Sequence, residues 1–144
     1  MIRRVVDTSV AVAWYLPERF SAAARGWQRR MLDGSAELLI PSLHYWEFAN
    51  VLRTRVRRGE LDAGSAAEVY SLHLDAPMVL LEPDRSVVLD LALKYEATAY
   101  DAVYLALSIA NDIPFLTGER PTTPWIRKLG GLADCIMQSP GERT

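Results

Sequence analysis

Two acidic residues directly follow segments that read as β-strands. Asp7 comes immediately after Val5 and Val6, and Glu119 lies three residues beyond Leu116. In an open parallel sheet, ligands bind outside the carboxyl ends of the strands. We therefore expect both carboxylates to lie on one rim of a sheet, where they could hold a ligand or take part in proton or metal chemistry.

Two further acids interrupt apolar segments with helical character. Glu47 stands between Trp46 and Phe48, and Asn50 follows three residues later on the same helix face. Asp101 opens the almost wholly apolar segment 102–110. Because an unpaired buried carboxylate is energetically expensive, such a group normally has a partner or a metal ion.

Three of these acids also have a purely structural explanation. Asp7 could be the N-cap of a helix, and Asp101 follows Thr98 at the spacing of a capping box. Glu119 lies beside Arg120 in a loop and could be a solvated surface charge. Only Glu47, inside a helix, has no capping duty, so taken singly the acids leave both explanations open.

Taken together, four carboxylates at one cleft predict a site for divalent cations. Two unit charges about 4 Å apart repel by roughly 4 kcal/mol at an effective dielectric of about 20. Oxygen ligands without cysteine or a positioned histidine favour Mg²⁺ or Mn²⁺ over zinc. Such ions lower the pKa of a bound water and stabilise a leaving oxygen, so the predicted chemistry is phosphodiester hydrolysis.

Several other chemistries lack their required residues. The single cysteine, Cys135, excludes an intramolecular disulfide and a cysteine-based zinc cluster. Neither His44 nor His73 has a suitable nucleophile nearby in sequence, which argues against Ser-His-Asp hydrolysis. Ser9 occupies the position at which haloacid-dehalogenase-like phosphatases need a second Asp, and the acidic pair and late lysine of receiver domains are absent. No P-loop or dinucleotide-binding glycine motif is present.

The elements that must position these acids alternate between strand and helix. The chain has 144 residues, of which 50% are hydrophobic and 24% charged, a composition typical of one globular domain. We predict strands at 2–6, 37–40, 78–81, 114–117 and 132–137, and helices at 10–16, 18–32, 43–58, 63–74, 86–95, 99–111 and 125–129. This alternation predicts an α/β/α sandwich with a central, mostly parallel sheet of four or five strands. The expected domain spans 1–138, followed by a polar tail at 139–144.

The charge of the chain gives limited information about partners. The net charge is −2, but 14 of the 16 basic residues are arginines. Arg53, Arg57 and Arg58 close the helix that carries Glu47 and could bind RNA. Cations also favour a helix C-terminus through its dipole, so both interpretations stay open. The large aromatics of the first third are expected mainly in the core: Trp14, Tyr15, Trp27 and Trp46.

No apolar stretch approaches the roughly 18 residues that a membrane span requires, and no signal peptide is evident. We therefore expect a cytoplasmic protein without a membrane partner.

The motifs resemble those of the PIN-domain family, and most closely its VapC-type toxins. The resemblance rests on Asp7-Thr8-Ser9, on Glu47 with Asn50, and on two later segments, Tyr100-Asp101-Ala102-Val103-Tyr104-Leu105-Ala106-Leu107 and Leu116-Thr117-x-Glu119. It implies a PIN-like fold and a Mg²⁺- or Mn²⁺-dependent endoribonuclease. It also implies that Asp7, Glu47, Asp101 and Glu119 form the catalytic metal site, which Thr117 supports; Ser9 and Asn50 are further candidates for support.

The resemblance further implies two protein partners. One is a VapB-type antitoxin, whose C-terminal segment would lie in an apolar groove; the other is a second copy of the chain in a homodimer. The helices at 62–74 and 86–95 are the candidate dimer contacts. One position departs from the family pattern, because such toxins usually have T-x-D where this chain has Thr117-Gly118-Glu119. Two alternatives therefore stay open: a catalytically inactive RNA- or protein-binding module, and an RNA-processing nuclease without an antitoxin.

Overall fold

The fold is built on a central sheet of five parallel strands in a computed structural model that describes residues 1–137. The strands are β1 (Ile2–Val6), β2 (Ala36–Ile40), β3 (Val79–Leu80), β4 (Phe115–Thr117) and β5 (Ala133–Cys135). Their order in the sheet is β3-β2-β1-β4-β5. The predicted α/β sandwich is confirmed, with all five strands parallel. The predicted tail at 139–144 lies outside the described residues.

Helices cover both faces of this sheet. They are α1 (Thr8–Val12), α2 (Ser21–Leu32), α3 (Leu43–Arg57), α4 (Ala63–Leu74), α5 (Val88–Tyr95), α6 (Ala99–Asn111) and α7 (Pro124–Leu129). A 3₁₀ turn at Arg85–Val87 precedes α5, and another at Gly130–Leu132 precedes β5. Among residues 1–137, no helix is both long enough and apolar enough to cross a membrane.

Side chains alternate between the two layers because successive strand residues point to opposite faces of a sheet. One buried cluster lies against α1 to α4 and includes strand residues Val6, Leu38, Ile40 and Leu116. The other cluster packs against α6 and α7 and includes strand residues Val5, Leu39, Phe115 and Cys135. Both faces of the strands are therefore buried, as expected for a parallel sheet.

The chain changes direction across the sheet between β1 and β4. From β1 it runs outward through β2 to β3, and β4 then returns to pair with the other side of β1. Ligands of open α/β sheets bind at such a switch point, outside the carboxyl ends of the strands. Asp7 and Thr117 are located at these two strand ends, and the backbone N–H of Asp7 donates to the Leu116 carbonyl over 2.9 Å.

Several boundaries differ from the sequence prediction for local reasons. The first two helices are separated by residues 13–20, because Ser21 Oγ accepts from the Glu18 N–H (2.9 Å) and donates to the Leu16 carbonyl (3.2 Å). Asp62 caps α4, which begins at the predicted position, and its carboxylate accepts from the Ser65 N–H at 2.8 Å. Ser42 makes no side-chain cap at α3.

The prediction for the large aromatics was wrong at one position. Trp14 and Trp27 are buried and Tyr15 is partly buried, but Trp46 is 68% exposed. Trp46 neighbours Glu47 on α3, so the apolar sequence around Glu47 does not place the whole helix in the core.

Candidate active site

Asp7 is held at the end of β1 by two hydroxyl groups. Thr117 Oγ1 donates to Asp7 Oδ2 over 2.7 Å, and Ser9 Oγ donates to the same oxygen over 3.2 Å. Asp7 occupies the N-cap position of α1, yet its side chain makes no capping hydrogen bond. The capping explanation therefore does not account for this carboxylate, which is oriented by the fully buried Thr117.

Glu47 reaches the same region from α3. Thr8 Oγ1 donates to Glu47 Oε1 over 3.0 Å, and the Tyr104 hydroxyl donates to that oxygen over 2.6 Å. Thr8 and Tyr104 also contact each other at 2.8 Å. Helices from both layers of the sandwich thus fix one carboxylate, because α3 packs on one side of the sheet and Tyr104 of α6 on the other.

Asp101 lies in the first turn of α6 and has a structural duty there. The Asp101 backbone N–H donates to Thr98 Oγ1 over 3.0 Å, so Thr98 caps this helix as the sequence predicted. The Asp101 carboxylate is half-buried and close enough to Asp7 and Glu47 to act on their ionisation. Asp101 thus takes part in the helix cap through its backbone N–H and in the acidic cluster through its carboxylate.

The electrostatics of these three carboxylates are coupled. Burial raises the pKa of Asp7 to about 6, and the charges of Glu47 and Asp101 add to the rise, while hydrogen bonds from Thr117 and Ser9 oppose it. Burial also raises the pKa of Glu47, with a further contribution from Asp101. The pKa of Asp101 is raised by burial as well. The site therefore concentrates negative charge in a partly dehydrated place, an arrangement that a cation would stabilise.

Glu119 differs from the other three acids. Its side chain is exposed, and Glu119 Oε2 accepts from Thr123 Oγ1 at 3.2 Å within its own loop. Its backbone N–H donates to Thr117 Oγ1 over 3.0 Å, which links the loop to the hydroxyl that holds Asp7. The ligand role of Glu119 stays a prediction, as does support from Asn50, which is exposed on α3.

The donor set fits a hard divalent cation, although no cage is assembled in advance. Within residues 1–137, no three Asp, Glu, His or Cys side chains are gathered closely enough to enclose a metal ion. Mg²⁺ and Mn²⁺ suit carboxylate oxygens and keep several of their own waters, so they do not need a closed protein cage. Asp7, Glu47 and Asp101 offer that chemistry.

The loop after β4 is packed tightly against this site. A Cβ on Gly118 would lie 2.8 Å from Phe20 Cζ and 2.9 Å from Ser9 Oγ. Ser9 Oγ accepts a hydrogen bond from the Gly118 N–H over 3.2 Å and donates one to Asp7 Oδ2 over 3.2 Å. Ser9 thus links the loop after β4 to the carboxylate of Asp7.

Two clefts border the acids and the end of α3. One of about 470 Å³ is lined by both polar and apolar groups, among them Ser9, Phe20, Arg55, Glu119 and Arg120. The other, about 310 Å³, lies between α3 and α4 and is mainly apolar, lined by Ala49, Leu52, Arg53, Val56, Arg57, Ala63, Ala66, Ala67 and Tyr70. Arg53, Arg57 and Arg58 are exposed, whereas Arg55 is engaged by ion pairs with Glu18 and Glu60.

Sequence reasoning missed the side chains that hold the acids in place. Thr8 and Tyr104 belong to two of the motifs, but the sequence indicated no role for them. Their contact with Glu47 joins three separate helices and has no local signal. No role was predicted for Gly118. The only available sign was its position next to Thr117, since a glycine inside such a turn often marks a close approach.

Comparisons with known proteins give matches over most of this chain. The family model described as PIN domain matches residues 4–120. Ribonuclease VapC3 of Pyrobaculum aerophilum is 33% identical over 111 residues, covering 74% of this chain and 82% of that protein. The crystal structure of PAE2754, also from Pyrobaculum aerophilum, superposes with a TM-score of 0.72 at 24% identity, covering 92% of this chain and 83% of the other, and shows a shared fold.

Proposed function

Since the chain belongs to the PIN-domain family, we propose that it is a divalent-metal-dependent endoribonuclease of the VapC type. The observation that carries the proposal is the proximity of Asp7, Glu47 and Asp101 near the switch point of the sheet. Burial raises the pKa of all three, and the charges of neighbouring acids add to the rise at Asp7 and Glu47. Mg²⁺ or Mn²⁺ is the proposed cofactor, and cellular RNA in the cytoplasm is the proposed substrate.

The residues of the chain would prepare the site for cleavage by orienting its oxygens. Thr117 and Ser9 fix Asp7 through Oδ2, and Thr8 and Tyr104 fix Glu47 through Oε1. When bound, a divalent ion would supply an activated water and neutralise charge on the scissile phosphate. Asp7, Glu47 and Asp101 would hold that ion, and Glu119 could join from the rim.

Positive charge for the substrate is available beside the acids. Arg120 lines the cleft that also contains Ser9 and Glu119, and the exposed Arg53, Arg57 and Arg58 extend from the helix that carries Glu47. Such groups bind the RNA backbone without reading its sequence. Because salt screens contacts between arginine and phosphate, RNA affinity should fall as the salt concentration rises.

An RNA cleavage assay tests the proposal. Wild type should cut single-stranded RNA with Mn²⁺ or Mg²⁺ and stop when EDTA is added, while Asp7→Asn and Asp101→Asn should lose the activity and remain folded. Glu68→Gln, which removes one exposed carboxylate from α4, is the matched control and should cut normally. Equal cleavage by wild type and Asp101→Asn would contradict the proposal. No cleavage by the wild type would favour an inactive binding module.

The proposed protein partner is a VapB-type antitoxin. The mainly apolar cleft between α3 and α4 has the composition of a groove that receives an amphipathic helix. Ala67→Arg should block inhibition by an antitoxin from a neighbouring gene and leave RNA cleavage unchanged, because Ala67 is exposed and distant in sequence from the acids. Retained inhibition in this variant would place the antitoxin elsewhere.

A homodimer is the second proposed assembly. Leu89 and Leu93 stand one turn apart on α5 and are 69% and 72% exposed. These adjacent exposed leucines support the proposal that α5 contacts the second copy, since soluble monomers rarely leave a large apolar patch uncovered.

A further inference from the structure

A line of buried polar groups runs from Glu47 into the interior of the protein. Thr8, which donates to Glu47, also lies 3.4 Å from His44 Nδ1. His44 Nε2 contacts His73 Nε2 at 2.8 Å, and His73 Nδ1 contacts the Tyr15 hydroxyl at 3.1 Å. Both imidazoles are completely buried and Thr8 is only 6% exposed. The two histidines of the chain are thus joined to the acidic site by hydrogen bonds.

The number of protons in this line links the directions of its bonds to one another. A threonine hydroxyl has one proton, and a carboxylate can only accept. When the Thr8 proton is directed to Glu47, the contact with His44 needs a proton on His44 Nδ1. A neutral imidazole carries one N–H, so His44 Nε2 is bare and must accept from His73 Nε2. His73 Nδ1 is then bare as well and accepts from the Tyr15 hydroxyl.

The opposite direction is disfavoured by the charge on Glu47. If His44 accepted from Thr8, no proton would lie between Thr8 Oγ1 and Glu47 Oε1, which are 3.0 Å apart. Hydrogen bonds to an ionised acceptor are stronger than those to a neutral one, so the Thr8 proton is best used on the carboxylate. Tyr104 likewise donates to Glu47 Oε1, over 2.6 Å, so both hydroxyl protons serve the carboxylate and the 2.8 Å contact between Thr8 and Tyr104 holds no proton.

Both imidazoles are neutral under physiological conditions. Burial lowers the pKa of His44 to about 3, with a contribution from His73, and burial lowers the pKa of His73 to about 4. Two protonated rings could not face each other through Nε2 atoms at 2.8 Å, because both nitrogens would then be donors.

We propose that His44 and His73 are positioning residues for Glu47, acting through Thr8. Tyr15 donates to His73, His73 donates to His44, and His44 donates to Thr8. The Thr8 hydroxyl therefore donates to Glu47 Oε1 and orients that carboxylate for a divalent cation. This inference rests on the proposed metal-dependent function for its consequence, but the hydrogen-bond directions stand independently of that function.

The tautomers provide a direct test on the wild-type protein without metal or substrate. Two-bond ¹H–¹⁵N correlation spectra at neutral pH distinguish a protonated from a bare ring nitrogen, and His44→Asn assigns the two residues. We expect a proton on Nδ1 of His44 and on Nε2 of His73. The reverse tautomers, or a doubly protonated ring, would overturn the proposal.

Variants of His44 test the effect on the site. His44→Asn keeps an N–H donor in place of Nδ1, whereas His44→Leu does not. Loss of a group that orients a metal ligand typically costs about 10- to 100-fold in metal affinity or activity. His44→Leu should weaken Mn²⁺ binding in calorimetry by about tenfold or more and lower kcat with little change in the KM for RNA, and His44→Asn should remain within about threefold of wild type.

Equal Mn²⁺ affinity in folded His44→Leu and wild type would overturn the positioning role. If His44→Leu does not fold, His73→Gln and His73→Met give the same comparison, because the Gln side chain retains an N–H donor toward His44. A wild type that binds no Mn²⁺ would contradict the proposed function instead, and the spectra would still decide the tautomers.

Discussion

At the scale of single residues, the site is expected to reduce the stability of the metal-free protein. The pKa of Asp7 is about 6 in the folded protein and 3.8 when unperturbed, so keeping this carboxylate ionised above pH 6 opposes folding. We predict that Asp7→Asn raises the free energy of unfolding at pH 8 by about 1–3 kcal/mol, since one pKa unit corresponds to about 1.4 kcal/mol and the variant also loses charge-assisted hydrogen bonds.

Because the pKa of Asp7 is raised in the folded protein, the stability difference between Asp7→Asn and wild type should depend on pH. As the pH falls from above 6 toward 4, the folded wild type takes up a proton at Asp7 before the unfolded chain does, which stabilises the wild type. The difference from Asp7→Asn should therefore shrink over this range. Urea unfolding in EDTA at pH 8, 6 and 4.5 measures it, with Asp90→Asn as an exposed-carboxylate control. A variant that is less stable than wild type at pH 8 would contradict the prediction.

The Thr117 hydroxyl has two partners and should matter more for function than its size indicates. It donates to Asp7 and accepts from the Glu119 N–H. Thr117→Val keeps the shape but removes both bonds, so we predict about a tenfold or greater loss of metal affinity or kcat and destabilisation by about 1–3 kcal/mol. Thr117→Ser retains the hydroxyl and should stay near wild type. Similar behaviour of the two variants would show that the hydroxyl is dispensable.

At the scale of elements, the loop after β4 is set by close packing around Gly118. Because an added Cβ would lie 2.8 Å from the Phe20 ring and 2.9 Å from Ser9, Gly118→Ala should displace Ser9 or the loop. We predict destabilisation by about 1–3 kcal/mol, the usual cost of overpacking, together with reduced RNA cleavage. Gly131→Ala has no atom within 4 Å of its Cβ and serves as the control. Unchanged stability and activity in Gly118→Ala would contradict this packing argument.

Most elements could be predicted from sequence because their ends carry local signals. Asp62 and Thr98 cap the helices that begin at the predicted positions. The alternation of apolar strand segments with helices predicted the parallel sheet. The break between α1 and α2 was predicted at residue 17, but it extends from 13 to 20. Its length could not be predicted, because the Ser21 hydroxyl stabilises a turn that the helical pattern of the sequence does not reveal.

At the scale of the whole molecule, the acidic site depends on contacts that no local pattern contains. The sequence predicted that Asp7, Glu47, Asp101 and Glu119 would share one cleft, since each stood after a predicted strand or inside an apolar helix. The charges of Glu47 and Asp101 do act on Asp7, whereas Glu119 is exposed and bonded within its own loop. The sequence did not indicate that the Tyr104 hydroxyl would donate to Glu47, or that His44 would form a hydrogen bond with His73. These pairs join helices that are far apart in the chain.

The exposed face of α5 makes a prediction about assembly. If Leu89 and Leu93 form a dimer contact, Leu93→Glu should shift the protein to a monomer in sedimentation velocity, because a buried unpaired charge is costly. Leu32, 64% exposed on α2, gives the matched control Leu32→Glu, which should leave the dimer intact. A monomeric wild type would contradict the dimer. The same sedimentation behaviour of Leu93→Glu and Leu32→Glu would contradict a dimer contact on α5.

Calorimetric titration with Mn²⁺ measures whether Asp7, Glu47 and Asp101 together bind a divalent ion. Wild type and Asp90→Asn should bind Mn²⁺ with the same affinity, and Asp101→Asn should bind about tenfold more weakly or not at all. Equal binding by wild type and Asp101→Asn, or no binding by the wild type at millimolar Mn²⁺, would contradict the account.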